Sequence, residues 1–302
     1  MRSSLITLVL LAAATALGQA DYSARFETAW RLVAERYWNL ERLDVDWQGV
    51  RERYRPLALA AVDDDTFYSF LEEMYTELGD DHTVFVPPAR VEEFRDSLGD
   101  LPCLGIFSQA GSRLGSIRYR MLRGGTGYIE LPDLVSPGVA DNVRRAVREL
   151  VRRRASGLIL DLRGNPGGRL LTMMQVAGIF TRGFLWRTLT NWTLPIPYPA
   201  IGAVETELPL VVLIDGGVNS AAEGLAGALQ QRGRATVIGE RSAGNVEAVL
   251  PFCLRDGSQA WIATGVLAPI RGPTWEGRGV VPDIPAPPSE AVSAALRFFE
   301  GR

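Results

Sequence analysis

Residues 209–245 read PLVVLIDGGVNSAAEGLAGALQQRGRATVIGERSAGN, and this stretch decides the fold. Its first six residues are apolar, which is typical of a buried strand, and Asp215-Gly216-Gly217 predicts a turn after it. Small residues then predict a helix over SAAEGLAGALQQ, and ATVIGE predicts a second strand. Ser220 therefore lies where a strand gives way to a helix N-terminus, at which backbone N–H groups and the helix dipole favour negative charge.

Two interpretations of Ser220 follow from this position. A serine between a strand and a helix N-terminus suits a nucleophile, with the neighbouring N–H groups as an oxyanion hole. The same residue type is also a common helix N-cap with no role in catalysis. The stretch alone leaves both interpretations open.

The composition sets the outer bounds. The 302 residues can form one large or two medium domains, and 47% hydrophobic and 22% charged residues are typical of a globular protein. A formal net charge of −3 argues against a general binder of nucleic acid or anionic membranes. All 32 basic residues are arginine, because the sequence has no lysine, and His82 is its single histidine. These two facts restrict the choice of any catalytic base.

Residues 1–20 predict an export signal. Arg2 precedes the apolar run LITLVLLAAATAL, which is too short to span a bilayer comfortably, and small residues permit cleavage after Gly18 or Ala20. We expect an exported protein, periplasmic or extracellular, that is not integral to the membrane after signal removal. An uncleaved anchor helix is the alternative. Because exported proteins can form disulfides, Cys103 and Cys253 either pair or serve as small buried hydrophobic residues.

Residues 21–88 predict a helical lobe. The segment FETAWRLVAERYW has apolar residues at helical spacing, and further helices are predicted over Trp47–Leu59 and over TFYSFLEEMYTEL. The turn Asp80-Asp81-His82-Thr83 follows the third helix. A histidine there is either a solvated surface residue or a functional one, whose charged form the adjacent carboxylates favour. Residues 89–126 form a connecting segment without a catalytic signal.

From residue 127 the pattern becomes α/β, and we assign 127–302 to one core domain. A strand (GYIELPDL), an arginine-rich amphipathic helix and a second strand (GLILD) lead into the turn LRGNPGG. Gly167 and Gly168 allow positive φ, which can turn backbone N–H groups toward a neighbouring site. We expect a loop over 186–208, a hairpin around Asp256-Gly257 and a final helix. Right-handed βαβ units would bring the glycine turn and Ser220 to the same sheet edge.

The successive segments GYIELPDL, LILDLRGNPGG, VVLIDGGVNSAAEGLAGALQ, ATVIGERSAGN and GVVPDIP resemble the S41 serine peptidases in order and spacing. This family comprises the carboxyl-terminal-processing and tricorn-core proteases. The resemblance implies an α/β fold with a crotonase-like (ClpP/crotonase) spiral core and an N-terminal helical lobe. It also implies that Ser220 is the nucleophile, with the N–H groups of Ala221 and Gly167 as oxyanion donors.

The chain departs from the family in two ways. Only about forty residues separate Phe85 from Gly127, too few for the PDZ domain that many members carry. The processing proteases use a lysine base, and Asn245 stands at its position here. In the tricorn-like branch the base is a histidine, completed by a glutamate before the G-V-x-P-D segment. The resemblance therefore implies His82 as the base and Glu276 as its partner. Asp81 replaces the serine that precedes the histidine in that branch.

The resemblance thus implies a serine peptidase of the Ser-His type, acting on peptides or proteins without metal or cofactor. Either Asp81 or Glu276 would steady the imidazolium. Glu223 would tune the site or act only on the helix dipole. The alternative function is a catalytically retired relative that binds hydrophobic ligands or peptides. The sequence does not give the oligomeric state, and a homo-oligomer is one of the open alternatives.

Overall fold

A computed structural model describes residues 21–98, 117–136 and 138–301, so the predicted signal and Cys103 lie outside the described residues. The described chain divides into two compact units. The first, called the helical unit, combines residues 21–98 with Val249–Gly265; the second, called the sheet unit, contains residues 117–248 and 266–301. The sequence pattern predicted a core domain over all of 127–302, whereas in the structure Val249–Gly265 belongs to the helical unit.

The helical unit is built from the predicted helices. Asp46 and Asp63 begin the second and third of them, accepting N–H groups of Gly49 and Thr66 at 2.9 Å each. The elements are α1 (21–36), a 3₁₀ turn (Leu40–Arg42), α2 (Trp47–Leu59), α3 (Asp64–Thr76), β1 (Val84–Val86) and α4 (Pro88–Leu98).

The core of the helical unit is aromatic and aliphatic. Phe26, Phe67 and Met74 are fully buried, and the Tyr75 hydroxyl donates to the Ala29 carbonyl at 2.9 Å. β1 pairs antiparallel with residues 259–261, which explains why that excursion of the chain belongs to this unit.

The sheet unit contains a six-stranded sheet in the order β11-β8-β7-β4-β3-β2. The pairs from β3 to β11 are parallel, as the βαβ pattern predicts, and β2 is antiparallel to β3. Its strands are β2 (Arg118–Met121), β3 (Thr126–Glu130), β4 (Gly157–Asp161), β7 (Leu210–Ile214), β8 (Ala235–Gly239) and β11 (Ile284–Pro285). The accompanying helices are α5 (Val139–Arg152), α6 (Leu170–Gly178), α7 (Ala221–Gln231) and α8 (Ala291–Glu300).

Helices pack on both faces of this sheet. Ile159, Val211 and Leu213 form a buried cluster with Ala291 and Ala295 of α8. The strand residues that point to the other face of the sheet are buried as well, and α5 packs on that face. A Cβ built at Gly127 would meet Leu158 of β4 at 2.7 Å and Leu150 of α5 at 2.9 Å. None of the helices in the described ranges is long and apolar enough to cross a bilayer.

The loop prediction for 186–208 is wrong over its first part. This region contains β5 (Phe184–Leu189) and β6 (Ile196–Pro199), which pair antiparallel, and β5 also pairs with residues 266–269 of β10 (Gln259–Pro269). The prolines of β6 led to the loop prediction, because proline is rare in strands. It is tolerated here because β6 lies at a sheet edge. The predicted hairpin around Asp256 and Gly257 is confirmed, with β9 (Glu247–Cys253) paired to β10.

Cys253 lies at the end of β9, is exposed and takes part in a disulfide. The interpretation of Cys253 as a buried hydrophobic residue is therefore wrong.

Candidate active site

Ser220 occupies a strained turn between β7 and α7. Its backbone has φ 53° and ψ −123°, a positive-φ conformation that residues other than glycine rarely adopt. Such a conformation costs about 1–3 kcal/mol and persists only where surrounding contacts hold it. Two acceptors hold the Ser220 N–H: the Asn245 carbonyl at 2.9 Å and Glu223 Oε1 at 3.2 Å.

The glycine turn after β4 lies directly against this serine. A Cβ built at Gly167 would lie 2.8 Å from the Ser220 Cβ and 2.9 Å from the Ala221 nitrogen. Any larger residue would therefore displace the Ser220 turn. Positive φ at Gly167 and Gly168, 95° and 146°, adds a second reason for glycine at both positions.

The N–H groups of Gly167 and Gly168 in the glycine turn differ in whether they have an acceptor. The Gly167 N–H donates to Asn165 Oδ1 at 2.8 Å, so this donor is already occupied. The Gly167 carbonyl accepts the Leu134 N–H at 2.8 Å. Because C=O and N–H point in opposite directions across a trans peptide, the Gly168 N–H points away from Leu134. Within the described residues, neither the Gly168 N–H nor the Ala221 N–H has an acceptor.

Asn165 fixes the relation between the two turns, a role that sequence reasoning did not assign. It is fully buried, and its side-chain amide donates to the Leu131 carbonyl at 2.8 Å. Its main-chain carbonyl accepts the N–H of Asn219, the residue before Ser220, at 3.0 Å. An asparagine between a strand and paired glycines was the available signal.

Glu223 is fully buried and accepts four hydrogen bonds. Its Oε1 accepts the N–H groups of Ser220 and Asn245 at 3.2 and 2.8 Å. Its Oε2 accepts the Gly244 N–H at 2.7 Å and the Ser242 hydroxyl at 2.5 Å. The carboxylate thus joins the turn that contains Ser220 to the loop that follows β8.

Glu276 lies beside the same loop. Its Oε2 accepts the Val246 N–H at 2.7 Å, and its own N–H donates to the Thr274 hydroxyl at 3.0 Å. The next residue along, Gly277, donates its N–H to the Gly244 carbonyl at 2.7 Å. The sheet unit therefore gathers Ser220, Glu223 and Glu276 around the segment that contains Asn245.

His82 belongs to the helical unit and lies on a turn that Asp80 stabilises. Asp80 Oδ1 accepts the N–H groups of His82 and Thr83 at 2.6 Å each. Asp81 is exposed, and its carboxylate forms no hydrogen bond or ion pair with any part of the chain that the structure describes. Asp80 was missed, although an aspartate two residues before a turn position commonly accepts such N–H groups.

Asp161 and Arg163 of the glycine motif form a separate, partly buried ion pair. Arg163 Nε donates to Asp161 Oδ1 at 2.9 Å, and the Tyr128 hydroxyl donates to Oδ2 at 2.6 Å. The hydrogen bond to Asp161 raises the pKa of Arg163. Burial, and secondarily the bond to Asp161, raises the pKa of Tyr128 to about 12. The hydrogen bond between Tyr128 and Asp161 ties the end of β4 to β3.

Two protein-family models match the sequence. The family model of peptidase family S41 matches residues 125–286, and that of the Tricorn protease C1 domain matches residues 19–76. A carboxyl-terminal-processing protease of Synechocystis sp. is 38% identical over 133 residues, which cover 44% of this chain and 31% of that protein. A carboxy-terminal-processing protease of Bartonella bacilliformis is 30% identical over 186 residues, 57% of this chain and 41% of that protein. The chain thus matches well under half of each relative's length.

Among solved structures, a photosystem II D1 C-terminal processing protease superposes with a TM-score of 0.71 at 21% identity, covering 91% of this chain and 97% of that one. The expected α/β crotonase-like core with an N-terminal helical lobe is thereby confirmed. Since the family model covers more than half of the sequence, the chain belongs to peptidase family S41.

Proposed function

We propose that this chain is an exported serine peptidase that cleaves peptide bonds through an acyl-enzyme on Ser220. One observation carries the proposal: the serine sits in a strained turn, and two N–H groups, of the adjacent Ala221 and of Gly168 in the neighbouring glycine turn, lack acceptors in the described residues. Preorganised donors beside a nucleophile stabilise the oxyanion of an acyl transfer. An ordinary N-cap serine would need neither the strain nor the free donors.

The reaction runs in two steps. His82 takes the proton of the Ser220 hydroxyl while Oγ attacks the carbonyl carbon, and the oxyanion accepts N–H groups of Ala221 and Gly168. Collapse of this intermediate breaks the C–N bond, and the imidazolium returns its proton to the leaving amine. Water, deprotonated by His82, then hydrolyses the ester and releases Ser220.

The second oxyanion donor in this proposal is Gly168, where the family resemblance pointed to Gly167. The Gly167 N–H is occupied by Asn165 Oδ1 at 2.8 Å, whereas the Gly168 N–H is not occupied by any described residue. Gly167 then serves as the close contact that permits this arrangement.

Elimination supports His82 as the base. The sequence has no lysine, and the amide of Asn245 cannot accept a proton at ordinary pH. Glu223 is the carboxylate nearest to Ser220 along the chain, but four donors already occupy its two oxygens. Histidine is the side chain best suited to take and return a proton near neutral pH.

Glu276 is the proposed partner of the imidazolium. Its Oε2 is held by the Val246 N–H, so the carboxylate has a fixed orientation. The exposed Asp81 has no such support. A fixed carboxylate stabilises the imidazolium more than a mobile one, because less reorganisation accompanies its charging.

The relatives' names suggest the substrate class. They are carboxyl-terminal-processing proteases, which makes segments near the C-terminus of other proteins the first substrates to test. Export is proposed from the sequence of residues 1–20.

Labelling with a fluorophosphonate tests the proposal. The wild-type protein should form a covalent adduct on Ser220, and Ser220→Ala should form none, since the reagent reacts with activated serines. Hydrolysis of a peptide substrate should follow the same pattern. If wild type neither reacts nor hydrolyses peptides, the peptidase assignment fails and the binding of hydrophobic ligands becomes the function to examine.

A further inference from the structure

We propose that Glu223 is a positioning residue that holds the strained main chain of Ser220 in its reactive conformation. This inference rests on the proposed function, because it assigns to Glu223 an effect on the reactivity of Ser220. It excludes Glu223 as a proton acceptor.

The contacts of Glu223 connect three segments. The N–H groups of Gly244 and Asn245 reach it from the loop after β8, and the Ser220 N–H reaches it from the nucleophile turn. The Ser242 hydroxyl donates to Glu223 and in turn accepts the Val280 N–H at 2.6 Å. One carboxylate thus ties the nucleophile to the loop after β8 and, through Ser242, to the segment after Glu276.

The polarity of this network fits only a carboxylate. Each oxygen of Glu223 receives two donors, and within the described residues no arginine pairs with it. A glutamine would place an NH₂ group against two of these donors, which leaves buried N–H groups unpaired. A glutamate that acted only on the helix dipole would need no donors from outside the helix.

The mechanical consequence concerns Ser220. Its conformation at φ 53° is unfavourable and is held by the acceptors of its N–H, of which Glu223 is one and Asn245 the other. Glu223 also holds the N–H of Asn245. Loss of the carboxylate therefore loosens both supports at once, which turns the serine hydroxyl away from the oxyanion donors.

The test compares Glu223→Gln and Ser242→Ala with Asp161→Asn. The last variant is the matched control, because Asp161 is also buried, accepts several donors in the same unit and does not contact Ser220. For each variant the rate of fluorophosphonate labelling, kcat and KM are measured below the melting temperature. Hydrogen exchange is followed at the amides of Gly244 and Asn245.

We expect Glu223→Gln to lower the labelling rate and kcat by about tenfold to a hundredfold, the effect of a misplacement near 1 Å, with KM within about twofold. Ser242→Ala should show a smaller loss in the same direction. The double variant should be no slower than Glu223→Gln, since both residues act in one network. Asp161→Asn should lower thermal stability with labelling near the wild-type rate.

Wild-type labelling kinetics in Glu223→Gln would overturn the inference while leaving the peptidase assignment intact. The same holds if Asp161→Asn, at equal loss of stability, slows labelling equally. If Glu223→Gln does not fold, Ser242→Ala decides, and labelling at the wild-type rate contradicts the proposal. If wild type itself is not labelled, the proposed function fails, and hydrogen exchange then tests the positioning role of Glu223 on its own. Faster exchange at Gly244 and Asn245 in Glu223→Gln than in Asp161→Asn supports this role, and unchanged exchange contradicts it.

Discussion

The carbonyl oxygen of Asn245 accepts the N–H of Ser220 at 2.9 Å. The residue at the position of the processing proteases' lysine therefore supports Ser220, the proposed nucleophile, through its main chain. Its half-buried side chain forms no hydrogen bond within the described residues.

Asn245→Ala should keep nearly full activity, because the substitution leaves the N–H and C=O that contact Glu223 and Ser220 in place. Hydrolysis of a peptide substrate measures this, with Ser220→Ala as the inactive reference. Asn245→Lys should not restore activity to a His82 variant. A loss in Asn245→Ala as large as that in Ser220→Ala would place the amide in the catalytic machinery.

His82→Ala should lower kcat/KM by at least about a hundredfold, the usual contribution of a general base. Circular dichroism should confirm an intact fold. In wild type kcat/KM should fall toward acidic pH, because a protonated imidazole cannot accept the Ser220 proton. Near-full activity of His82→Ala, with Ser220 still essential, would rule out the Ser-His assignment.

Glu276→Gln should reduce kcat more than Asp81→Asn does. The first change removes a fixed carboxylate held by the Val246 N–H, whereas the second alters an exposed side chain without hydrogen bonds in the described chain. Steady-state kinetics of both variants separate the two roles. A larger effect from Asp81→Asn would assign the imidazolium to Asp81.

Gly167→Ala should lower fluorophosphonate labelling by about a hundredfold or more, comparable to the loss of an oxyanion donor. Its Cβ would lie 2.8 Å from that of Ser220. Gly164→Ala is the control, since Gly164 also has positive φ, 69°, but a Cβ there meets no atom within 4 Å. Equal losses in the two variants would attribute the effect to backbone strain rather than to contact with Ser220.

Alkaline pH should destabilise the fold partly through Tyr128. Its pKa is raised to about 12 in the folded protein, from an ordinary value near 10. A raised pKa means that the folded state retains the proton more strongly. The resulting stability is complete below pH about 10 and is lost as pH rises toward 12. Chemical unfolding of Tyr128→Phe should depend less on pH in this range than unfolding of wild type; identical slopes would contradict the assignment.

The helices were predictable where local signals agree. The helix Trp47–Leu59 was predicted with the bounds observed, and the structure adds a cap by Asp46 at its start, a local signal that agrees with the prediction. The strand Ile196–Pro199 was not predicted, because its prolines are typical of a loop. Only the structure shows that the strand lies at a sheet edge, where proline is tolerated.

At the site, residue types were predictable and their bonding was not. Motif spacing placed Ser220 and the paired glycines at one sheet edge, but the occupied N–H of Gly167 depends on the side-chain orientation of Asn165. Likewise Glu223 gains three of its donors from residues 242–245, about twenty positions away. No periodicity records contacts of this kind.

The prolines of β6 have a consequence for colloidal behaviour. Since Pro197 cannot donate a hydrogen bond to β5, Ile196 and Tyr198 supply the N–H groups of that pairing, and the outward positions fall on Pro195, Pro197 and Pro199. Another polypeptide approaching this edge meets carbonyl oxygens but no donors. The strand carries an exposed Ile196, yet it offers no donors to which a strand of another molecule could pair. The alternate prolines thus protect the folded protein against aggregation at this edge.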